Sequence, residues 1–298
     1  MNPLKLGVIG LSPGNGHPYS WSAIFNGYDR DHMESCGFPV IPRYLEKQRF
    51  PEDAIAEAKV THVWTQERSL SEHVAQASLI PNIVDSYTDM IGQVDGILLA
   101  RDDAETHLEF ASSFLEAGLP VYIDKPLALS VAEGQKLLAM QQYPGQIYSC
   151  SALRYAREFQ LSPSDLESIG TIKHLHVIVP KDWDKYAVHV IEPALMLATS
   201  RGALVSTRTW KSGDNTTFSA RYESGLQLLV NTMGAAGAPL SLRVIGENGW
   251  KDMFFQDTYF AFKSALHEFV QGVLNHDVRI EPDFMLEVVG LIEAGRAE

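Results

Sequence analysis

Apolar residues over positions 95–128 are spaced as in a strand, a helix and a second strand. The run 96–100 is continuously apolar, which is typical of a short strand buried on both faces. Asp103 is positioned to cap a helix whose apolar residues recur at helical spacing until Gly118, and residues 121–123 form the second strand. Such a crossover joins parallel strands, so the pattern predicts two carboxyl ends at one edge of a sheet, where ligands bind.

The alternation of strand and helix continues through the first half of the chain. Further strand patterns occupy residues 4–9, 60–65 and 82–84, and residues 69–77 suit a helix. This rhythm predicts an N-terminal Rossmann-type domain, a doubly wound parallel sheet over residues 1–127. Residues 28–58 carry few strand patterns, so we expect an insertion there, with a short helical piece over 51–58.

Strand patterns dominate the second half of the chain, at residues 172–179, 204–211, 216–222, 226–232 and 240–245. An antiparallel sheet is the simplest account of them. We therefore predict an α/β plus α+β protein whose second domain, residues 128–298, is a mainly antiparallel open sheet with helices on one face. Two final helices, near 260–275 and 282–294, are expected to close the chain, with packing back on the first domain as one option.

Candidate chemistry appears at the predicted sheet edge. Lys125 lies one residue past the strand 121–123, and Pro126 restricts its backbone. An ordinary loop lysine paired with Asp124 is the alternative.

A glycine-rich turn, Gly10-Leu11-Ser12-Pro13-Gly14-Asn15-Gly16-His17, follows the first strand and precedes a short helix. That arrangement presents backbone amides to a phosphate. Its spacing departs from the dinucleotide fingerprint, because Ser12 replaces the second glycine and Gly14 comes one residue early. A plain surface turn is therefore the alternative.

Composition narrows the class of partner. The chain has 298 residues, 45% of them hydrophobic, and a formal net charge of -13 without a long basic run, which disfavours nucleic-acid binding. Two cysteines, no signal-peptide pattern and no apolar run of membrane-spanning length predict a soluble cytoplasmic protein with no membrane contact. His174 and His176 alternate on one strand face, and we interpret them as an exposed pair, with no metal site.

Together these features resemble the glucose-fructose oxidoreductase, inositol dehydrogenase and rhizopine catabolism (Gfo/Idh/MocA) family of NAD(P)-dependent oxidoreductases. The family's strand, helix ending in Ala-Gly, second strand and Glu-Lys-Pro correspond here to Ala117-Gly118 and Asp124-Lys125-Pro126. Ser151-Ala152-Leu153-Arg154-Tyr155 resembles the start of the family's second domain. The resemblance implies that Lys125 lies between the nicotinamide and the substrate.

A second family motif, an aspartate four residues before a histidine, falls on Lys185 and His189. The resemblance implies that His189 is the acid/base or positions the substrate hydroxyl, while Lys185 takes the aspartate's place and Asp184 is one residue off. Lys185, His189 and Glu192 share one helix face. The catalytic candidates are Lys125, His189 and Lys185, and the substrate-binding candidates are Arg154, Tyr186 and Glu192. A packed histidine and a solvated glutamate are the alternatives.

The cofactor implied by the resemblance is NADP or NAD. Arg68 could accept a 2′-phosphate, which favours NADP, whereas Glu67 could hold two ribose hydroxyls, which favours NAD. Arg101 either contacts the pyrophosphate or pairs with Asp102. The predicted cofactor-binding residues are Gly10, Ser12, Gly14, Asn15, Gln66, Arg68, Arg101 and Asp124.

The resulting hypothesis is hydride transfer between nicotinamide and a secondary alcohol or ketone of a sugar, sugar derivative or cyclitol. In it, His189 exchanges the hydroxyl proton while Lys125 polarises the oxygen. One alternative is a non-catalytic Rossmann-fold binding or regulatory protein, because the glycine turn and Lys185 depart from the family pattern. Another is an imine or ene reductase. The partners we expect are a small-molecule substrate and, through the second-domain sheet, a second subunit in a homodimer or homotetramer.

Overall fold

The computed structural model describes residues 2–297, which fold as two compact units. The first unit comprises the residues up to Ala128, Ala132–Cys150 and Phe262–Met285. The second comprises Leu129–Val131, Ser151–Ala261 and the residues from Leu286 on. The single domain boundary at residue 127 stays a prediction, since packing assigns some later segments to the first unit.

The first unit is built on a six-stranded parallel sheet in the order β3-β2-β1-β4-β5-β6. Its strands are β1 (Leu4–Ile9), β2 (Ala58–Trp64), β3 (Asn82–Ile83), β4 (Gly96–Leu99), β5 (Val121–Ile123) and β6 (Ile147–Tyr148). The helices along this part of the chain are α1 (His17–Asn26), α2 (Arg30–Glu34), α3 (Val40–Leu45), α4 (Arg68–Ala77), α5 (His107–Glu116) and α6 (Val131–Ala139). Strand order reverses beside β1, so the carboxyl ends of β1, β4 and β5 lie together. The predicted doubly wound sheet is confirmed.

Two local predictions in this unit are wrong. Residues 51–57 form turns, and β2 begins directly after them, because the segment is too short to nucleate a helix without packing support. Asp103 does not cap α5 through its side chain, since a 3₁₀ turn over Ala104–Thr106 intervenes and its carboxylate accepts instead from Arg101.

The second unit is built on a six-stranded sheet in the order β12-β11-β7-β10-β9-β8. Its strands are β7 (Ile172–Val179), β8 (Leu204–Ser212), β9 (Asn215–Tyr222), β10 (Gln227–Met233), β11 (Ser241–Gly246) and β12 (Trp250–Phe254). The helices are α7 (Pro163–Ile169), α8 (Trp183–Tyr186) and α9 (Val188–Leu197), followed by α10 (Thr258–Asn275) and α11 (Pro282–Arg296), whose residues are shared between the units. Neighbouring strands are antiparallel except for the parallel pair β7 and β10.

The two faces of this sheet differ in burial. Leu228, Val230 and Thr232 of β10 are buried, and α9 packs against β7, β10 and β11. The opposite face leaves Trp210 and Trp250 exposed. This arrangement confirms the predicted open sheet, although the sequence did not predict β12.

Within residues 2–297, no helix combines the length and apolar character needed to span a bilayer. His174 and His176 lie on one face of β7 with ring centroids 6.1 Å apart. Nowhere in that described part do three histidine, cysteine or carboxylate side chains converge as metal ligands would.

Candidate active site

Lys125 lies in a buried ion pair at the carboxyl edge of the parallel sheet. It lies two positions after the last residue of β5, and its Nζ lies 3.5 Å from Oδ2 of Asp102, which follows β4. The two side chains are 6% and 8% exposed. Ser12, after β1, donates from Oγ to Oδ1 of Asp102 at 2.7 Å. A buried ammonium and carboxylate each need a partner, and strand topology supplies one to both.

Asp124 is the second carboxylate of this group and is fully enclosed. Its Oδ2 accepts from Nδ2 of Asn15 at 2.8 Å and pairs with Nδ1 of His17, while Oδ1 accepts from the backbone amide of Lys125. Burial alone would raise the pKa of Asp124, but attraction to His17 and Lys125 and the hydrogen bonds hold that pKa well below its usual range. Asp124 is therefore a carboxylate that ties the glycine turn to the lysine. We call these residues the Lys125 cluster: Ser12, Asn15, His17, Asp102, Asp124 and Lys125.

The glycine turn is held by tight packing and by Gln66. A Cβ on Gly10 would lie 2.2 Å from Cγ of Pro18, so only glycine lets α1 approach β1 this closely. Gly14 has φ +81°, and a Cβ there would point into open space. Gln66 bonds both sides of Leu11, accepting from its amide at 3.0 Å and donating to its carbonyl at 2.7 Å.

Arg101 and Arg68 have different environments. Arg101 forms an ion pair with Asp103, stacks 4.8 Å over the ring of Phe110 and lies 3.4 Å from the Leu11 carbonyl oxygen. The ion pair that we considered between Arg101 and Asp102 is thus made with Asp103. Arg68 is 54% exposed, in surface ion pairs with Glu72 and Asp85. Such pairs are weak, so Arg68 can exchange them for another anion.

A second polar cluster lies in the second unit, around His189 on α9. Oγ of Ser151 lies 2.9 Å from Nδ1 of His189, and the Ser151 amide donates to Oε2 of Glu192 at 2.6 Å. Arg154 completes the group by pairing with Glu192 at 2.6 Å, with side chains 8% and 3% exposed. Burial raises the pKa of Glu192, and the guanidinium of Arg154 opposes that rise. Glu192 is thus enclosed, contrary to the solvated alternative.

The segment before α9 adds Tyr186 and two lysines. The ring of Tyr186 lies edge-on to His189 with centroids 5.5 Å apart. Lys181 donates to the Tyr186 hydroxyl, and its ammonium lies 4.3 Å from the ring centroid. Lys185 lies on α8, a separate short helix, and its amide donates to Asp182. We call this group the His189 cluster: Ser151, Arg154, Lys181, Tyr186, His189 and Glu192.

Asp184 does not replace the aspartate of the family motif in the His189 cluster. Its carboxylate pairs with Arg296 at 3.2 Å. A shift of one residue on a helix turns a side chain by roughly 100°. The carboxylate of Asp184 therefore points to Arg296, at the end of α11.

The structure groups the predicted site residues by unit. Nine lie in the first unit, with Gly10, Ser12, Gly14, Asn15, Asp124 and Lys125 at the turn and sheet edge, Gln66 and Arg101 against the turn, and Arg68 on the surface of α4. Arg154, Lys185, Tyr186, His189 and Glu192 lie in the second unit. Joint action of Lys125 and His189 stays a prediction.

Four polar residues of these clusters were not predicted as site residues: His17, Asp102, Ser151 and Lys181. The sequence could have indicated Asp102 as a site residue, because it follows a predicted parallel strand just as Lys125 does. For Ser151 and Lys181 it offered no such indication, since each meets its partner only after the chain folds.

The fold and the glycine turn define a class, the Rossmann-type nucleotide-binding proteins. Residues 37–151 match the model of a family described as an oxidoreductase family with an NAD-binding Rossmann fold. The matched model is that of the Gfo/Idh/MocA oxidoreductases, so the match confirms the resemblance and the expected type of enzyme and cofactor.

Solved structures agree on the fold along nearly the whole chain. Myo-inositol 2-dehydrogenase from Lactobacillus plantarum is similar at 15% identity and a TM-score of 0.75, over 99% of this chain and 96% of that one. GenD2 from gentamicin A biosynthesis, in complex with NAD, is similar at 16% identity and a TM-score of 0.72, over 99% of this chain and 93% of that one. UDP-N-acetylglucosamine 3-dehydrogenase GnnA from Acidithiobacillus ferrooxidans is similar at 14% identity and 0.70, over 99% of both chains. No protein of curated function matches the sequence.

Proposed function

We propose that this protein transfers hydride between NADP or NAD and a secondary alcohol or ketone of a sugar, sugar derivative or cyclitol. The observation that carries the proposal is the buried Lys125 ammonium beside the glycine turn, at the edge where parallel sheets bind ligands. Two solved structures of similar fold are named as dehydrogenases of myo-inositol and of UDP-N-acetylglucosamine.

The residues of the turn fit a dinucleotide. Gly14 leaves open space where a side chain would stand, and among residues 2–297 the amides of Ser12 and Gly14 donate to no other group. Backbone amides of this kind bind pyrophosphate oxygens. When bound, the nicotinamide would accept or return the hydride.

The remaining chemistry belongs to side chains of this chain. Lys125 would donate a hydrogen bond to the substrate oxygen and stabilise its developing negative charge, while Asp102 keeps the ammonium in place. His189 would take the hydroxyl proton, with Ser151 fixing the orientation of its ring through Nδ1. Asp124 would hold the turn and the lysine in register through Asn15 and the Lys125 amide. Lys185 would supply a second positive charge near the substrate.

We propose NADP as the preferred cofactor because Arg68 is exposed and held only by surface ion pairs. Fluorescence titration with NADH and NADPH tests cofactor binding, and absorbance of the reduced nicotinamide over a panel of sugars and cyclitols tests turnover. Tighter binding of NADPH, lost in Arg68→Gln, is the expected result. Equal affinities in both proteins would contradict the preference.

A non-catalytic binding protein is the second candidate function. Gln66 occupies the amide of Leu11, which leaves one fewer donor for a pyrophosphate. Failure to bind either reduced cofactor at millimolar concentration would favour this candidate, and cofactor binding would remove it. The imine or ene reductase alternative predicts turnover only with substrates that contain C=N or activated C=C bonds, which the same absorbance assay measures.

We also propose a homodimer or homotetramer through the open face of the second-unit sheet. Trp210, Trp250 and Phe254 are 53%, 64% and 49% exposed there, and large apolar groups on one face are typical of subunit interfaces. Light scattering on the purified protein tests the oligomeric state, and a monomer would contradict the proposal.

A further inference from the structure

Three carboxylates near the His189 cluster have partners other than Lys181. Asp182 accepts from the Lys185 amide, Asp184 pairs with Arg296, and Glu192 pairs with Arg154. Lys181 differs, because its ammonium donates to the hydroxyl of Tyr186. Within residues 2–297, Lys181 has no carboxylate within ion-pair distance.

Lys181 is also held in an uncommon backbone conformation. Its φ is +68°, in the left-handed region that a lysine rarely adopts. Two backbone hydrogen bonds fix it there, since its amide donates to the carbonyl of Gly234 at 2.8 Å and its carbonyl accepts from the Gly234 amide at 3.1 Å. Such strained residues concentrate at functional sites. The strain here places an exposed cation against Tyr186.

These side chains form a short series from the interior to the surface. His189 is buried, Tyr186 is partly exposed beside it, and Lys181 is exposed beyond Tyr186. A substrate whose hydroxyl reaches His189 would therefore extend past the Tyr186 hydroxyl to the Lys181 ammonium. An anionic group at that end would meet an ammonium that forms no ion pair with any carboxylate of residues 2–297.

We propose that the substrate bound at the His189 cluster carries a carboxylate, recognised by Lys181 and the Tyr186 hydroxyl, and is therefore a sugar acid. This inference rests on the proposed hydride transfer for its choice of carbon skeleton. A carboxylate fits better than a phosphate, because Lys181 offers one compact charge, and Arg154 of the same cluster already pairs with Glu192.

The test compares sugars that differ only in the acidic group. Galacturonate and galactose, glucuronate and glucose, and glucose 6-phosphate are each assayed for nicotinamide reduction with both cofactors. Binding of the same compounds is measured by calorimetry in the presence of reduced cofactor. This measurement does not depend on turnover. The variants are Lys181→Gln and, as the matched control, Lys173→Gln, which removes a partly exposed lysine of the same unit that pairs with Glu247.

We expect the wild type to prefer the acid of at least one pair by roughly tenfold or more in kcat/KM, the size of effect that a charged hydrogen bond gives. Lys181→Gln should abolish that preference mainly through KM, and Lys173→Gln should keep it. Preference for the neutral sugars or for glucose 6-phosphate, or an unchanged preference in Lys181→Gln, would overturn the inference. So would no binding of either acid.

The design separates this inference from the proposed function. Binding of a sugar acid that needs Lys181, without nicotinamide reduction, would support the inference and count against hydride transfer. Oxidation of neutral sugars alone would support hydride transfer and count against the inference. Lys181→Gly is the second variant, because glycine accepts the left-handed conformation and guards against misfolding while removing the charge. It should lose acid binding as fully as Lys181→Gln.

Discussion

The Lys125 cluster and the His189 cluster bring polar groups together by different means. Asn15 and Asp124 are 109 positions apart and meet because parallel strands end at one edge of the sheet. His189 and Glu192 are three positions apart on α9, and both bond to Ser151. A sheet edge thus brings together residues that are far apart in the sequence, whereas a helix face presents close neighbours, which here bond to Ser151 and Arg154 of one short segment.

The two buried ion pairs also differ. Arg154 and Glu192 are 2.6 Å apart, which satisfies both charges locally. Nζ of Lys125 and Oδ2 of Asp102 are 3.5 Å apart, which is a longer contact. We infer that the first cluster supplies chemistry and that the ion pair of the second supports the position of His189. The following predictions test this difference, from the largest expected effect to the smallest.

Lys125→Met should lower turnover by about a thousandfold, or about 4 kcal/mol of transition-state stabilisation, because the ammonium no longer stabilises the substrate oxygen. The affinity for reduced cofactor should change little. Steady-state kinetics and fluorescence titration measure the two quantities. Lys136→Met, an exposed lysine on α6, is the control, and equal turnover in both variants would contradict the role of Lys125.

Arg154→Met should destabilise the fold by about 3 kcal/mol, because it leaves the Glu192 carboxylate buried without its cation. The double variant Arg154→Met with Glu192→Gln should recover much of that loss. Urea unfolding followed by circular dichroism measures both. If the single and double variants were equally unstable, the ion pair would not be the cause.

Asp124 should make the fold sensitive to acid. Its folded-state pKa is depressed, so the stabilisation is present above the unfolded-state pKa of about 3.9 and is lost as the pH falls through that value towards the lower folded-state pKa. Asp124→Asn should be less stable at neutral pH and show a shallower decline below about pH 4. Unfolding free energies measured across this pH range check the prediction, and parallel curves would contradict it.

Ser151→Ala should lower turnover by about tenfold, because Nδ1 of His189 loses the hydroxyl that orients its ring. A positioning role predicts a shifted pH profile of kcat/KM and recovery in Ser151→Thr, which keeps the hydroxyl. Loss of stability without a change in the pH profile would indicate a purely structural serine.

Local patterns predicted much of this molecule. The crossover around residues 96–123, the lysine after its second strand and the shared face of His189 and Glu192 all depend on spacings of a few residues, which side-chain periodicity encodes directly. Short or weakly patterned segments were harder. Residues 51–57 are turns, and β12 was not predicted, because a five-residue edge strand gains its stability from the neighbour with which it pairs.

By itself, the sequence determined a doubly wound parallel sheet followed by an open sheet, and it determined that Lys125 stands at the ligand-binding edge of the first. Only the tertiary structure decided the partners: Asp102 for Lys125, Asp103 for Arg101, Leu11 for Gln66 and Tyr186 for Lys181. The physical reason is that a charged or amide side chain can pair with many groups of suitable chemistry. Which pair forms depends on strand order and on which side chains lose their water together, and neither is encoded in local spacing.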